Sequence, residues 1–214
     1  MTFGKSKLRT DLRAQMRSRL PWAAALWLTG AAAPGWAFDL TELMTQLAQQ
    51  RSGQARYTEQ RFVSGFEQSL FSNGTLTFQA PDKLARYTLA PRAESFVVDG
   101  NRLSLERSGR TRHLQLDAIP ELAAMVAAMR GTLMGDALAL QQHFKITVKG
   151  TTAQWSLTLR PLDNRLLGVV RQVHIEGQRS ELRSVEVSLS DGDRSVMTIE
   201  ATAQDTGKTK GPTP

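Results

Sequence analysis

The sequence predicts a mainly β protein with a minority of helix, built as an antiparallel meander. Two observations predict it. Turn signals recur at short intervals: Asn73-Gly74, Pro81-Asp82, Pro91, Asp99-Gly100, Ser108-Gly109, Lys149-Gly150, Asp163-Asn164, Glu176-Gly177 and Asp191-Gly192. Between them run short segments with one apolar face. In Gly74-Thr-Leu-Thr-Phe-Gln79, Leu76 and Phe78 alternate with Thr75, Thr77 and Gln79. Strand, short turn, strand, repeated, is an antiparallel order, because parallel neighbours need long crossovers.

The first residues are set apart from the fold. Lys5, Lys7, Arg9, Arg13, Arg17 and Arg19 precede an apolar run from Leu20 to Ala33, and Gly35 and Ala37 are small residues at signal-peptidase spacing. Basic, apolar, then small-x-small is the order of a secretory signal peptide, expected over 1–37 with cleavage after Ala37. A retained anchor helix fits less well, since Pro21, Gly30 and Pro34 interrupt a run shorter than the ~20 apolar residues a span needs. Six basic residues and one acidic residue leave with this segment. The formal charge of +7 on the whole chain thus falls to +2, from 21 basic and 19 acidic residues. No basic cluster interleaved with stacking aromatics remains, which argues against nucleic acid as a partner. The sequence has no cysteine, so an exported chain must be held by its core alone and has no lipid-modifiable N-terminal Cys.

A helix opens the domain expected over 38–203. Asp39 is its cap, Glu42 completes a capping box, and Leu40, Leu43, Met44 and Leu47 form the stripe, with Arg51-Ser52-Gly53 as the stop. Strands are expected from Ala55 onward, then over 96–98, 102–106 and 111–116. Ile119 to Gln142 is helical, with Asp117 as cap, Pro120 in the first turn, and a stripe of Leu122, Met125, Val126 and Met129. Gly131 is expected to break it and Thr132 to recap a second stripe, Leu133, Ala137 and Leu140, with Asp136 facing solvent. Strands follow over 144–148, 154–159, 167–176, 182–189 and 196–201, and a polar tail over 204–214. Four of the five methionines after residue 37 lie on the helical segments. Met suits a surface that repacks around differing apolar shapes, but it also fills ordinary cores, and the stripes alone favour an ordinary core.

No catalytic or cofactor constellation stands out. There is no phosphate-cradling glycine loop, no G-x-S-x-G elbow and no H-E-x-x-H pair, and His113, His143 and His174 lie some thirty residues apart with no partners at ligand spacing. Asp191-Gly192-Asp193 lacks the later ligands of a calcium loop and reads as a hairpin turn. No enzyme, metal or cofactor is expected.

Tyr57-Thr-Glu-Gln60, Gly74-x-Leu-x-Phe78, Pro81, Leu84, Pro91, Asp99-Gly100 and the strand start Phe144-Lys145-Ile146 occur in an order and at spacings that resemble the LolA family of periplasmic lipoprotein carriers. The resemblance implies a strongly curved antiparallel sheet, an incomplete β-barrel, whose concave apolar face is closed by helices acting as a lid. It implies a periplasmic monomer that binds acylated lipoproteins or other lipid-like cargo, taken from an inner-membrane donor complex and passed to an outer-membrane acceptor. The cavity would then be lined by Leu76, Phe78, Tyr87, Leu89, Phe96 and Val98. Its cover would be Leu43, Met44, Leu47, Leu122, Met125, Val126, Met129 and Leu133. Two departures stand out. Family carriers commonly place an Arg before the Pro, where it hydrogen-bonds lid-helix backbone, and here that position is Ala80. The Arg-Trp pair that often follows is Ala85-Arg86. A lipid-sensing or regulatory domain with a similar curved sheet, a lipid-modifying enzyme and a rigid barrel with helices as plain core are the competing readings.

Overall fold

A computed structural model describes residues 38–202; the expected signal peptide and the tail lie outside them. The described chain opens with α1 (Leu40–Leu47) and continues through six strands: β1 (Ser52–Phe62), β2 (Leu70–Gln79), β3 (Lys83–Ala90), β4 (Glu94–Asp99), β5 (Arg102–Arg107) and β6 (Arg110–Gln115). A 3-10 turn (Leu116–Ala118) leads into α2 (Pro120–Met134) and α3 (Ala137–His143). The chain then runs through β7 (Phe144–Gly150), β8 (Trp155–Pro161), a single turn α4 (Asn164–Leu167), β9 (Val170–Gln178), β10 (Glu181–Leu189) and β11 (Arg194–Ala201).

All eleven strands form one antiparallel sheet in the order β6-β5-β4-β3-β2-β1-β11-β10-β9-β8-β7. It is two meanders joined along β1 and β11, where Tyr57 pairs with Ile199 and Glu59 with Met197. The sheet is not closed: β6 and β7 are its edges. The segment that connects these two edges in sequence is the helical one, so α2 and α3 carry the chain from one edge to the other. Curvature follows from what shares a cavity. Leu105 on β5 and Val185 on β10 line one space, although six strand spacings separate them, about 29 Å in a flat sheet.

Local chemistry explains most element ends. The Asp39 carboxylate accepts from the Glu42 N–H at 2.9 Å, which caps α1. α1 stops at Leu47, earlier than Arg51-Ser52-Gly53, and β1 already starts at Ser52. Pro120 sits in the first turn of α2 as expected, but Asp117 is no cap; its N–H donates to the Asn101 Oδ1. Gly131 does not break α2. A Cβ there would lie 2.7 Å from Leu140 Cγ, so Gly131 is a contact glycine that lets α3 lie against α2. Thr132 is fully buried and donates to the Ala128 carbonyl instead of capping. The break falls at Gly135 in the left-handed region (φ 65°), and Asp136, exposed, caps α3 through Ala139 N–H. The strand expected from Leu167 begins at Val170, because Asp163 caps one turn of helix through the Arg165 and Leu166 amides.

The main core lies between α1, α3 and the second meander: Leu43, Met44, Leu47, Leu140, Phe144, Trp155, Leu157, Leu159, Val173 and Ile175. The Trp155 indole donates to the Arg179 carbonyl at 2.7 Å, satisfying its one polar atom. A smaller cluster of Val98, Leu103, Leu116 and Val126 closes the far end of the first meander.

Candidate functional site: a graded cavity under a single helix

Antiparallel register arranges the inner face of the first meander in transverse rows. The first row, Phe78, Leu84, Val98 and Leu103, is apolar and mostly sealed. The second, Leu76, Arg86, Phe96 and Leu105, is half-exposed. The third, Tyr57, Gly74, Thr88, Glu94 and Arg107, is largely polar. Gly74 holds its place because β3 crosses it closely: a Cβ would stand 1.8 Å from the Tyr87 carbonyl oxygen. Over these rows lies α2. Between α2 and the sheet is a cavity of about 580 Å³, walled by Leu76, Leu84, Phe96, Leu105, Val185, Val187 and Met197 and roofed by Leu122, Met125, Val126 and Met129. A second space of about 800 Å³ adjoins it toward the start of β1, lined by Phe78, Met129, Leu133, Leu182 and Ile199. Leu76, Ala85 and Met129 line both.

The residues picked out from sequence thus divide three ways. Leu76, Phe96, Leu122, Met125, Val126 and Met129 meet at the first cavity, and Phe78 and Leu133 at the second. Leu43, Met44 and Leu47 line neither; they are fully buried in the main core, so α1 is not part of the cavity cover. Val98 is sealed in the small cluster. Tyr87 and Leu89 correct the expected lining. They are 42% and 67% exposed, because β3 turns Leu84, Arg86 and Thr88 inward and so turns Tyr87 outward, while Leu89 falls at a bulge.

Sequence reasoning missed the polar group set into this apolar wall. Glu59 and Arg86 form an ion pair, with side chains 16% and 32% exposed. Arg86 Nη2 also donates to the Ser72 hydroxyl, and Nε donates to the Tyr57 hydroxyl at 2.9 Å. Tyr57 in turn shares a hydrogen bond with Thr88, and the guanidinium lies 4.7 Å from the Tyr57 ring centroid. Ser195 and Ser72 donate to the Glu59 carboxylate. Burial alone would raise the Glu59 pKa, but the Ser195 hydroxyl, the Arg86 charge and the Ser72 hydroxyl outweigh it and hold the pKa below the usual glutamate value. Burial works against the Arg86 cation too, and the Tyr57 and Glu59 contacts reverse that. The signal was in the period: Glu59 shares the inner parity of Tyr57, and Arg86 that of Leu84.

A second cation ties the roof to the wall. Arg130 on α2 reaches over the sheet end, and its Nη2 donates to the carbonyls of Asp82 and Gly100, in the β2–β3 and β4–β5 turns. Its Nε is buried without a partner among the described residues, and burial, opposed by Asp82 and Asp99, lowers its pKa. Among the described residues the side-chain hydrogen bonds of Arg86 run to the sheet residues Tyr57, Glu59 and Ser72 and not to the roof. The Arg130 tie between roof and sheet runs from a helix side chain to turn backbone.

The arrangement is a hollow with largely apolar walls, adaptable Met side chains in its roof, the Glu59–Arg86 group set into the wall and a polar row with the Glu94–Arg107 pair at one side. Solved structures of similar fold include a LolA superfamily protein of Nitrosomonas europaea, at 11% identity, covering 77% of this chain and 92% of that one with a TM-score of 0.41. A putative outer membrane lipoprotein-sorting protein domain of Vibrio parahaemolyticus follows at 10% identity, 77% and 92% coverage and a TM-score of 0.39. A chain of the MucA/MucB complex of Pseudomonas aeruginosa shows 14% identity, 78% and 60% coverage and a TM-score of 0.38. No curated protein matches the chain. Residues 31–213 match the family described as outer membrane lipoprotein carrier protein LolA-like, and the chain belongs to that family.

Proposed function

We propose that this protein is a periplasmic carrier that encloses acyl chains of lipoproteins or related lipid-like cargo and takes them across an aqueous space toward the outer membrane. The observation that carries the proposal is the cavity of about 580 Å³ beneath α2, apolar on its walls and roofed by Met125 and Met129. Each methylene moved from water into such a space gains roughly 0.8 kcal/mol, so a partly enclosed chain brings several kcal/mol without any directional contact. Met in the roof tolerates chains of differing shape. The family supports lipid or lipoprotein binding as the general role; the shuttling direction, the inner-membrane donor and the outer-membrane acceptor are part of the proposal. Cleavage after Ala37 belongs to it as well and is checked by N-terminal sequencing of periplasmic material.

The test uses delipidated protein. It should bind a hydrophobic fluorescent dye, and an acylated peptide should displace the dye while the unacylated peptide does not. Failure to take up dye or acylated peptide would show that the hollow is not a cargo space.

A further inference from the structure

The polar group in the cavity wall has more donors than the protein uses. Arg86 is fixed by Nε to Tyr57 and by Nη2 to Glu59 and Ser72. Its Nη1 makes no hydrogen bond among the described residues, yet it is not closed off, and Arg86 lines the 580 Å³ cavity. Two N–H groups on a cavity-lining guanidinium held against the Tyr57 ring are therefore left for a further acceptor. Glu59 already neutralises the cation and accepts from two hydroxyls. The unfilled valence is therefore that of a hydrogen-bond donor and not of a net charge, and it suits an uncharged acceptor. The rows of the wall add direction. The apolar Phe78–Leu84 row lies on one side of Arg86, and the polar row, with Glu94 and Arg107 paired at 2.9 Å, lies on the other.

We propose that the cavity reads cargo by an ester or amide carbonyl at the head of the acyl chain, which accepts from Arg86 Nη1 while the chain runs toward the Phe78–Leu84 row. The proposal rests on the acyl-carrier reading above and adds a polar requirement to it. An apolar cavity alone discriminates by length and bulk; a fixed donor in its wall discriminates by chemistry, because cargo without an acceptor leaves the guanidinium desolvated and unpaired. A plain structural ion pair would make the opposite prediction: cargo would pass it without preference.

Monopalmitoyl glycerol and its hexadecyl ether analogue share chain and head group and differ in the carbonyl, and both compete for a dye in the cavity. Wild-type protein should prefer the ester by about tenfold to a hundredfold, the worth of one hydrogen bond to a charged donor. Arg86→Lys keeps a cation beside Glu59 but replaces the fixed Nη1 donor by a mobile ammonium, and it should reduce the ester-over-ether preference several-fold. The paired variant Glu59→Gln/Arg86→Met removes both charges together, so no lone charge is left buried, and it should show the same loss. A palmitoylated peptide amide run in parallel tells an acylated polypeptide source from a glycerolipid one by which competes better. No ester preference in the wild type, or an equal loss of ester and ether affinity in Arg86→Lys, would overturn the proposal. If the wild type binds neither lipid nor dye, it is the carrier reading that fails.

Discussion

The two meanders of this sheet obey the same alternation and end in opposite states. On the second, Leu157, Leu159, Val173 and Ile175 point at α1 and α3 and are completely buried. On the first, Leu76, Leu84, Phe96 and Leu105 point inward in the same way but face a hollow. The difference lies in the second layer. α1 brings Leu43, Met44 and Leu47 directly onto the sheet, and Gly131 lets α3 close against α2, so the space above β7 to β9 is filled. Among the described residues the helix above β2 to β5 is α2, which spans the opening and is tied at its rim by Arg130. An apolar sheet face is thus a necessary part of both a core and a cavity; whether it is filled depends on what covers it.

The largest expected effect separates the halves directly. Trp155→Ala in the packed half removes a fully buried indole and its hydrogen bond, and should cost about 3–5 kcal/mol in chemical denaturation while cargo affinity in the folded protein stays unchanged. Met125→Ala or Met129→Ala enlarges a space that already exists, so the stability loss should stay below about 2 kcal/mol and lipid affinity should fall. Equal destabilisation by both kinds of variant, with binding untouched, would make the hollow half a core after all.

Next in size is the charge pair set into the hollow half. Arg86→Met alone strands the Glu59 carboxylate in an apolar wall and should cost about 2–3 kcal/mol near neutral pH, less than a fully buried pair because Arg86 keeps some solvent contact. The pH dependence has a definite sign. The folded-state pKa of Glu59 is depressed, so its stabilisation is complete above the unfolded value of roughly 4.3 and is lost as pH falls through the lower folded value. The stability gap between wild type and Glu59→Gln should therefore close on acidification and remain open from mildly acidic pH upward. A gap that persisted at low pH would assign the Glu59 effect to packing.

The tie at the rim is smaller. Arg130→Met removes two donor bonds to turn carbonyls but also relieves a partly buried cation, so the net stability change should be about 1 kcal/mol. Its kinetic consequence is the sharper reading: bound lipid should exchange faster, since α2 is held to the β2–β3 and β4–β5 turns by this side chain. Unchanged exchange would place the restraint on α2 elsewhere, in the Val126 contacts with Val98 and Leu103.

How far the sequence carried the fold depends on which interaction decides each feature. Turn residues and alternation decide strand order locally, so the meander, the opening helix and the helical interruption were all legible from spacing. The end of α2 was not, because the role of Gly131 is set by Leu140 across the bend and not by its own helix propensity. Periodicity put Leu76, Phe96 and the α2 stripe on apolar faces, and those faces border the cavity. Leu43, Met44 and Leu47 carry an identical stripe yet serve the core, a distinction made only by which helix lies over which meander. Glu59, Arg86 and Arg130 were missed as a set because their partners come from four strands and two turns, and no local pattern announces an ion pair between residues 59 and 86.

The smallest expected effect tests the inward and outward faces of β3. Tyr87 and Leu89 are large apolar side chains, and the cavity lining implied by the resemblance includes both. Their geometry says otherwise. Tyr87 pairs across from Thr75, whereas the cavity residue Arg86 pairs across from Leu76, so a period of two puts Tyr87 on the convex side. Replacing either by Thr keeps a strand-favouring residue, removes exposed apolar surface and touches no cavity wall. Stability should change by no more than about 0.5 kcal/mol, and the affinity for acyl ligands should not change at all. Leu84→Thr, one face over on the same strand, is the matched control: it places a hydroxyl in the wall and should weaken lipid binding clearly. If Tyr87→Thr or Leu89→Thr instead weakened binding as much as Leu84→Thr, cargo would be held on the convex surface, and the hollow under α2 would lose its claim to be the site.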